Sequence, residues 1–137
     1  MSTFAALDLR VEVNSVDLSD WCTKVTWPVE YDQQEDTAFG DNARSRLAGL
    51  QDIDLSLEFN QDFGASAVDQ TISAIDGTVV AVKVRPTSAA ISATNPEYVA
   101  SFLVAEYSPF DNSVGDLATT SMSWPLSDAD GYARNTA

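Results

Sequence analysis

The sequence contains no histidine, one cysteine and only seven basic residues, against 21 acidic ones. Without histidine the chain lacks the commonest general base and the commonest metal ligand of proteins. The single cysteine, Cys22, permits no disulfide within the chain and excludes a cysteine-rich metal site. Its only basic neighbour in sequence is Lys24, so Cys22 fits a small buried apolar residue better than a nucleophile. The composition therefore predicts a protein that is not an enzyme and that has no metal or cofactor.

The chain also lacks a long apolar run. Its first residues have neither the basic lead nor the apolar stretch of a signal peptide, and no segment approaches the length of a membrane span. We therefore expect a protein that has no membrane contact and is made in a cytoplasm. The net charge of −14 disfavours tight binding of nucleic acid, because phosphate recognition requires clustered lysine and arginine. It leaves open a surface that nucleic acid passes without adhering.

At 137 residues the chain fits a single domain, residues 1–137, with one core. Alternating apolar and polar residues predict about six strands, over residues 4–13, 21–31, 51–59, 78–85, 97–107 and 115–126. Pro28 cannot donate to a strand ladder, so the second strand should bulge or lie at an edge there. One helix is predicted over 66–75, capped by Ser66, and the tail after residue 127 should be loose. This pattern is typical of a mainly β fold, an antiparallel β-sandwich or partial barrel with one packed helix.

The segment from residue 32 to residue 49 shows no periodicity that would indicate a strand or a helix. It is polar and charged, and it contains Gly40 and Gly49. Connections of this length in small domains are usually functional or disordered. We therefore predict a long loop that contacts a neighbouring molecule and is ordered only there. The residues expected to form this contact between subunits are Asp36, Phe39, Asp41, Arg44, Arg46 and Leu47.

Two arginines in this segment have two possible roles. Arg44 and Arg46 are two of the seven basic residues, and they stand two positions apart. They could be solvated surface charges. Alternatively, they could pair with carboxylates of a neighbouring subunit, because copies of a protein at −14 repel one another unless charge is locally complementary.

The strand predicted over 51–59 has one apolar and one acidic face. Asp52, Asp54 and Glu58 alternate with the apolar residues Ile53, Leu55, Leu57 and Phe59. Paired carboxylates can perform acid–base catalysis, but a solvated sheet face is the simpler interpretation. A third possibility is that the acidic face lines a channel.

Six short blocks of sequence, taken in order, resemble the tail tube (major tail) proteins of long-tailed phages and prophages of actinobacteria. The resemblance extends from about residue 10 to residue 125. The blocks are VDLSD at 16–20, DTAFGD at 36–41, RLAGL at 46–50, LEFNQDF at 57–63, VRPTS at 84–88 and SATNP at 92–96.

The resemblance implies a β-sandwich with one helix that assembles into stacked hexameric rings of a virion tail. In that family an inner sheet from each subunit joins a continuous β-barrel around a lumen, and a long loop reaches the adjacent ring. DNA passes through the lumen only in transit. The implied partners are other copies of the chain, tape measure proteins and tail terminator proteins, with assembly in the host cytoplasm. The polar faces of 51–59 and 4–13 are the candidates for the lumen wall.

Two other functions remain open from the sequence. The first is a capsid decoration or head–tail joining protein. The second is a monomeric β-sandwich binding module for a carbohydrate or protein ligand, because Trp21, Trp27 and Trp124 could line a ligand surface.

Overall fold

The computed structural model describes residue 3 and residues 5–137, so the first residue of the predicted strand 4–13 lies outside the described residues. The described residues form nine strands and one short helix. In chain order these are β1 (Arg10–Val13), β2 (Val16–Asp17), β3 (Cys22–Thr26), β4 (Val29–Glu35), β5 (Arg46–Asn60), α1 (Val68–Ser73), β6 (Val79–Arg85), β7 (Glu97–Leu103), β8 (Thr119–Pro125) and β9 (Ala133–Asn135).

One sheet has five antiparallel strands in the order β2-β1-β6-β7-β9. The turn between β1 and β2 is formed by Asn14 and Ser15, which have φ angles of 51° and 66°. Positive φ at both central residues is what the tightest hairpin turns require.

The second sheet is built on β5, a strand of 15 residues. β3 and β4 pair in succession with one edge of β5, from Phe59 back to Arg46. β8 pairs with the opposite edge, over residues 54–60. β3 and β4 are separated at Trp27 and Pro28, so the predicted strand 21–31 is interrupted where the proline removes a hydrogen-bond donor.

The two sheets pack face to face over one core. Ile53, Leu55, Leu57 and Phe59 of β5 are all buried, which confirms the apolar face predicted for this strand. They pack with buried residues from the other sheet and with Trp124 of β8. The prediction of a mainly β fold with antiparallel strands and one helix is confirmed.

The helix packs its apolar side into the same core but begins later than predicted. Val68 and Ile72 are buried, whereas the predicted cap, Ser66, lies outside the helix with a φ of 57°. The N-cap position is Ala67, whose side chain cannot accept a hydrogen bond. The prediction of a Ser66 cap is wrong because Ser66 belongs to the turn that precedes the helix.

The largest correction concerns the predicted loop over residues 32–49. β4 and β5 pair as far as Gln33 opposite Ala48, Gln34 opposite Leu47 and Glu35 opposite Arg46. Strand structure therefore occupies residues 32–35 and 46–49, and the connecting loop is only residues 36–45. The alternation that indicates a strand depends on one buried face, and this part of the hairpin has none.

Two smaller corrections concern the ends of the chain. The first strand begins at Arg10, later than the predicted start at residue 4, and Leu7, within the predicted range, is exposed. The tail predicted to be loose contains β9, whose Ala133 and Asn135 pair with Val99 and Glu97 of β7. A three-residue edge strand of exposed residues has no apolar face that could reveal it in the sequence.

One half of β5 is buried and the other is exposed, so the same Leu→Ala substitution should change the free energy of unfolding by different amounts in the two halves. Leu55→Ala should lower the free energy of unfolding by about 2–5 kcal/mol, because Leu55 is fully buried. Leu47→Ala, on the same strand, should change it by no more than about 0.5 kcal/mol. Urea denaturation of both variants measures this, and a large loss for Leu47→Ala would show that the distal half of β5 supports the fold of the isolated chain.

Candidate assembly surfaces

The outer part of the β4–β5 hairpin projects from the sandwich. We call residues 30–50 the arm, because every one of them is exposed. The solvent-accessible surface of the chain is 8558 Å², whereas a compact monomer of 14.7 kDa would expose about 6,900 Å². The excess surface is consistent with an arm that stands away from the core.

The tip of the arm is an ordered turn. The backbone N–H of Ala38 donates to Asp41 Oδ2 at 2.7 Å, and the N–H of Asp41 donates to the Ala38 carbonyl at 3.2 Å. Gly40, with a φ of 95°, provides the left-handed residue that this turn needs. The turn presents Phe39 to solvent, and the relative exposure of this side chain is 109%.

The six residues predicted to contact a neighbouring subunit all lie on the distal arm. Arg44 Nε is 3.8 Å from Glu35 Oε1 of the same chain, and both side chains are largely exposed. Arg46 stands opposite Glu35 in the strand register. An exposed ion pair of this kind contributes little to stability. Pairing of these arginines with another subunit therefore stays a prediction, and Glu35 is a competing partner for them within the chain.

The second surface is the outer face of the sheet built on β5, which we call the acidic face. Asp52, Asp54 and Glu58 are exposed there, as predicted from their alternation with buried residues. Between them lie small polar side chains, including Ser56 of β5. The acidic face therefore combines negatively charged side chains with small polar ones.

Two further carboxylates belong to the acidic face, and the sequence analysis did not predict them. Glu30 stands directly opposite Asp52 in the strand register, so two like charges meet across the ladder. Glu106 accepts a hydrogen bond from the Ser123 N–H at 3.2 Å. Both lie in stretches predicted as other strands, and only the pairing of Glu30 with Asp52 and the hydrogen bond between Glu106 and Ser123 reveal that they are close to the acids of β5. Lys24, opposite Glu58, is the basic residue that faces them from β3.

The outer face of the five-stranded sheet is electrostatically different. Arg10 pairs with Glu12 on its own strand and with Asp17 at 3.2 Å, and Arg85 Nε lies 3.7 Å from Glu97. Positive and negative charges are therefore interspersed on this side. The two candidates for the lumen wall, the polar faces of 4–13 and 51–59, are therefore alternatives for a single lumen, because β1 and β5 present their polar faces on opposite sides of the sandwich.

The titratable groups with raised pKa values are not activated for chemistry. Burial raises the pKa of the Cys22 thiol to about 11, and burial raises the pKa of the Tyr107 hydroxyl to about 12. Both shifts are opposite to those that generate a nucleophile near neutral pH. Among the described residues no group of three or more Cys, Asp or Glu side chains is arranged to hold a metal ion.

The three tryptophans do not share a surface. Trp124 is fully buried, and its Nε1 donates to the Glu106 carbonyl at 2.9 Å. Trp21 Nε1 donates to Asp62 Oδ2, also at 2.9 Å. The three tryptophans therefore do not form the common ligand surface on which the binding-module hypothesis depended, and Trp27 alone lines a groove, together with Tyr98 and Tyr132. In the part of the chain that the structure describes, no helix is long and apolar enough to span a membrane.

Comparison with known proteins identifies the fold but no sequence family. No protein-family model matches the chain, and no curated protein matches it at a significant level. Among solved structures, the fold is similar to a chain from the virion of a native gene transfer agent (GTA) particle, with a TM-score of 0.77, 12% identity and coverage of 97% of this chain and 99% of that one.

A second similar fold is found in the anti-feeding prophage cap, described as the tube terminating cap (AFP). That chain has a TM-score of 0.65 and 12% identity, and the match covers 100% of this chain and 93% of that one. The chain thus shares its fold with a chain from each of these two particles.

If the acidic face serves a function other than folding, neutralising it should not destabilise the protein. We expect Asp52→Asn, Asp54→Asn and Glu58→Gln together to leave the free energy of unfolding equal or slightly higher, within about 0.5 kcal/mol. The change removes the repulsion between Glu30 and Asp52, which is worth about 0.2–1 kcal/mol, and loses a weak attraction of Glu58 to Lys24.

Glu97→Gln is the matched control, because it applies the same chemical change to a buried carboxylate beside Arg85. It should lower the free energy of unfolding by about 1–3 kcal/mol. Thermal and urea denaturation measure both effects. A large loss of stability in the triple variant would show that the acidic face is held by structural ion pairs.

Proposed function

We propose that this protein is a virion structural protein that assembles into stacked hexameric rings, which form the tail tube of a phage or prophage particle and conduct DNA at ejection. The observation that carries the proposal is the arm, an ordered hairpin with both faces in solvent. The resemblance of the six sequence blocks to tail tube proteins supports the hexameric ring, and the similarity in fold to a tube terminating cap agrees with a place in a tube.

The arm has the properties of an assembly element. A two-stranded hairpin with no covering layer is only marginally stable in water. Tyr31, Leu47 and Leu50 add apolar side chains to the arm that the isolated chain leaves exposed. Contact with a neighbouring subunit would bury these side chains and stabilise the pairing of β4 with β5. A role in such a contact would account for a hairpin that the isolated chain leaves uncovered.

The acidic face has the properties of a lumen wall. Its charge repels phosphate, and screening limits this effect to charges within about 8 Å of the DNA at physiological salt. The opposite outer face, with its interspersed charges, is suited to the outside of a tube.

The proposal extends to partners and location. The same tube would contact the tape measure protein in its lumen and a tail terminator at its end, and it would be part of the virion tail after assembly in the host cytoplasm. No chemical reaction is part of this function.

A second candidate is a head–tail joining or tube-closing protein, with capsid decoration as a more distant form of the same class. The similarity in fold to the tube terminating cap favours it. The two functions differ in whether the contact between rings repeats. A tube subunit stacks on itself without limit, whereas a joining or closing protein forms one ring and stops.

Negative-stain electron microscopy of the concentrated purified protein tests the proposal. We expect tubes or stacked rings with six subunits in each ring. Single rings would favour the joining or closing function. Monomers at every concentration, confirmed by sedimentation velocity, would contradict both.

Charge reversal on the arm tests whether this element makes the contact. Arg44→Glu together with Arg46→Glu should abolish stacking and leave the thermal unfolding temperature within a few degrees, because both side chains are exposed. Arg134→Glu, at an exposed arginine on β9, is the control and should assemble normally. Normal tubes from the arm variant would show that the two arginines are only solvated charges.

A further inference from the structure

An apolar groove lies at the base of the arm, where the two sheets meet. It encloses about 480 Å³ and is lined by Trp27 and Val29 from one sheet and by Val84, Arg85 and Tyr98 from the other, with Tyr132 closing one side. Tyr98 and Tyr132 stack with their ring centres 5.6 Å apart, and Trp27 meets Tyr98 edge to face at 6.2 Å. The aromatic walls are therefore already in place.

One hydrogen-bond donor in this groove has no acceptor. Trp27 Nε1 is buried and has no hydrogen-bond partner among the described residues, whereas Arg85 Nε faces Glu97 Oε2 at 3.7 Å. Buried donors without a partner are rare in native proteins, because each costs about 1–3 kcal/mol. The groove is thus apolar, aromatic and short of acceptors.

We propose that the tip of the arm of a second copy of this chain occupies the groove, with Phe39 between the aromatic walls. This inference rests on the proposed function, since it identifies the surface that receives the arm. The tip supplies what the groove lacks. Its aromatic ring is fully exposed, and Asp36, Asp41 and the backbone carbonyls of the turn provide acceptors.

Charge favours this surface over the acidic face. The tip carries carboxylates, and the acidic face would repel them. Among the residues that the structure describes, the groove is lined by Arg85 and by no carboxylate, and the charge of Arg85 is balanced by Glu97, which lies 3.7 Å from its Nε. The groove therefore lacks the repulsion that the acidic face would exert on the tip.

The length of the arm requires that the contact between tip and groove be made by two different copies of the chain. Phe39 is at the tip and the groove is at the base, separated by the paired strands from Val29 to Glu35, a length of about 20 Å. A tip therefore cannot reach its own groove. Contact between a tip and the groove of another copy generates a ring or an open stack unless two copies exchange their arms reciprocally.

Photo-cross-linking of the full chain tests the inference. Phe39 is replaced by p-benzoylphenylalanine, which keeps an aromatic ring at the position, and the assembled protein is irradiated and digested for mass spectrometry. We expect adducts between copies at residues 27–29, 84–86, 98 or 132. The same photoreactive residue at Val114, which is equally exposed, is the control and should give no adduct in the groove.

Substitution provides an independent readout. Phe39→Ser should raise the protein concentration needed for assembly at least tenfold, and Phe39→Tyr should change it less than threefold. Val114→Ser should have no effect. Because position 39 has no packing contacts to lose, a folding defect does not complicate the comparison.

The outcomes separate the inference from the function on which it rests. Rings or tubes whose adducts lie elsewhere, for example at the exposed pair Phe63 and Phe110, would overturn the groove assignment and leave self-assembly standing. Rings or tubes with no adduct, or with unchanged assembly of Phe39→Ser, would overturn it as well. Absence of any assembly by sedimentation would overturn the inference and the proposed function together.

Discussion

Both the core and the arm depend on β5, because one half of this strand is buried in the sandwich and the other half forms the arm. The C-terminal half of β5 forms the middle of a sheet and buries a side chain at every second position. Its N-terminal half continues the same ladder with β4 into solvent, where neither face is covered. Because the two halves share one backbone, the sandwich fixes the direction of the arm. A rigid core can in this way present a contact surface well outside itself.

The distribution of charge determines which surfaces of two copies of the chain can come into contact. A net charge of −14 opposes self-association, and the chain compensates it unevenly. On the five-stranded sheet, arginines alternate with carboxylates, while on the acidic face Glu30, Asp52 and Asp54 have little compensation. Association with one defined orientation is therefore favoured, with acidic faces turned away from the contacts between subunits. The same arrangement would leave a negative wall facing an enclosed space.

The fold could be predicted from the sequence where side chains alternate between core and solvent, and the arm could not. Ile53 to Phe59 reveal their strand because one face is buried, whereas the residues around Leu47 have no buried face to mark them. For the candidate site, the residues predicted to make the contact on the arm and the three acids of β5 lie in continuous segments, so a sequence pattern was sufficient to propose them, and their roles stay predictions. Glu30 and the groove around Trp27 were not predicted, because strand pairing brings their neighbours together from distant parts of the chain.

Hydrogen exchange on the arm tests most directly whether this hairpin exists to be covered by another copy. The measurement compares backbone amides of residues 31–35 and 46–50 in dilute monomer and in concentrated, assembled protein, with the buried half of β5 as the internal reference. The account predicts rapid exchange of the arm in the monomer and strong protection on assembly, while the reference amides are protected in both. Arm amides that are already strongly protected in the monomer, or that exchange rapidly in the assembled protein, would contradict it.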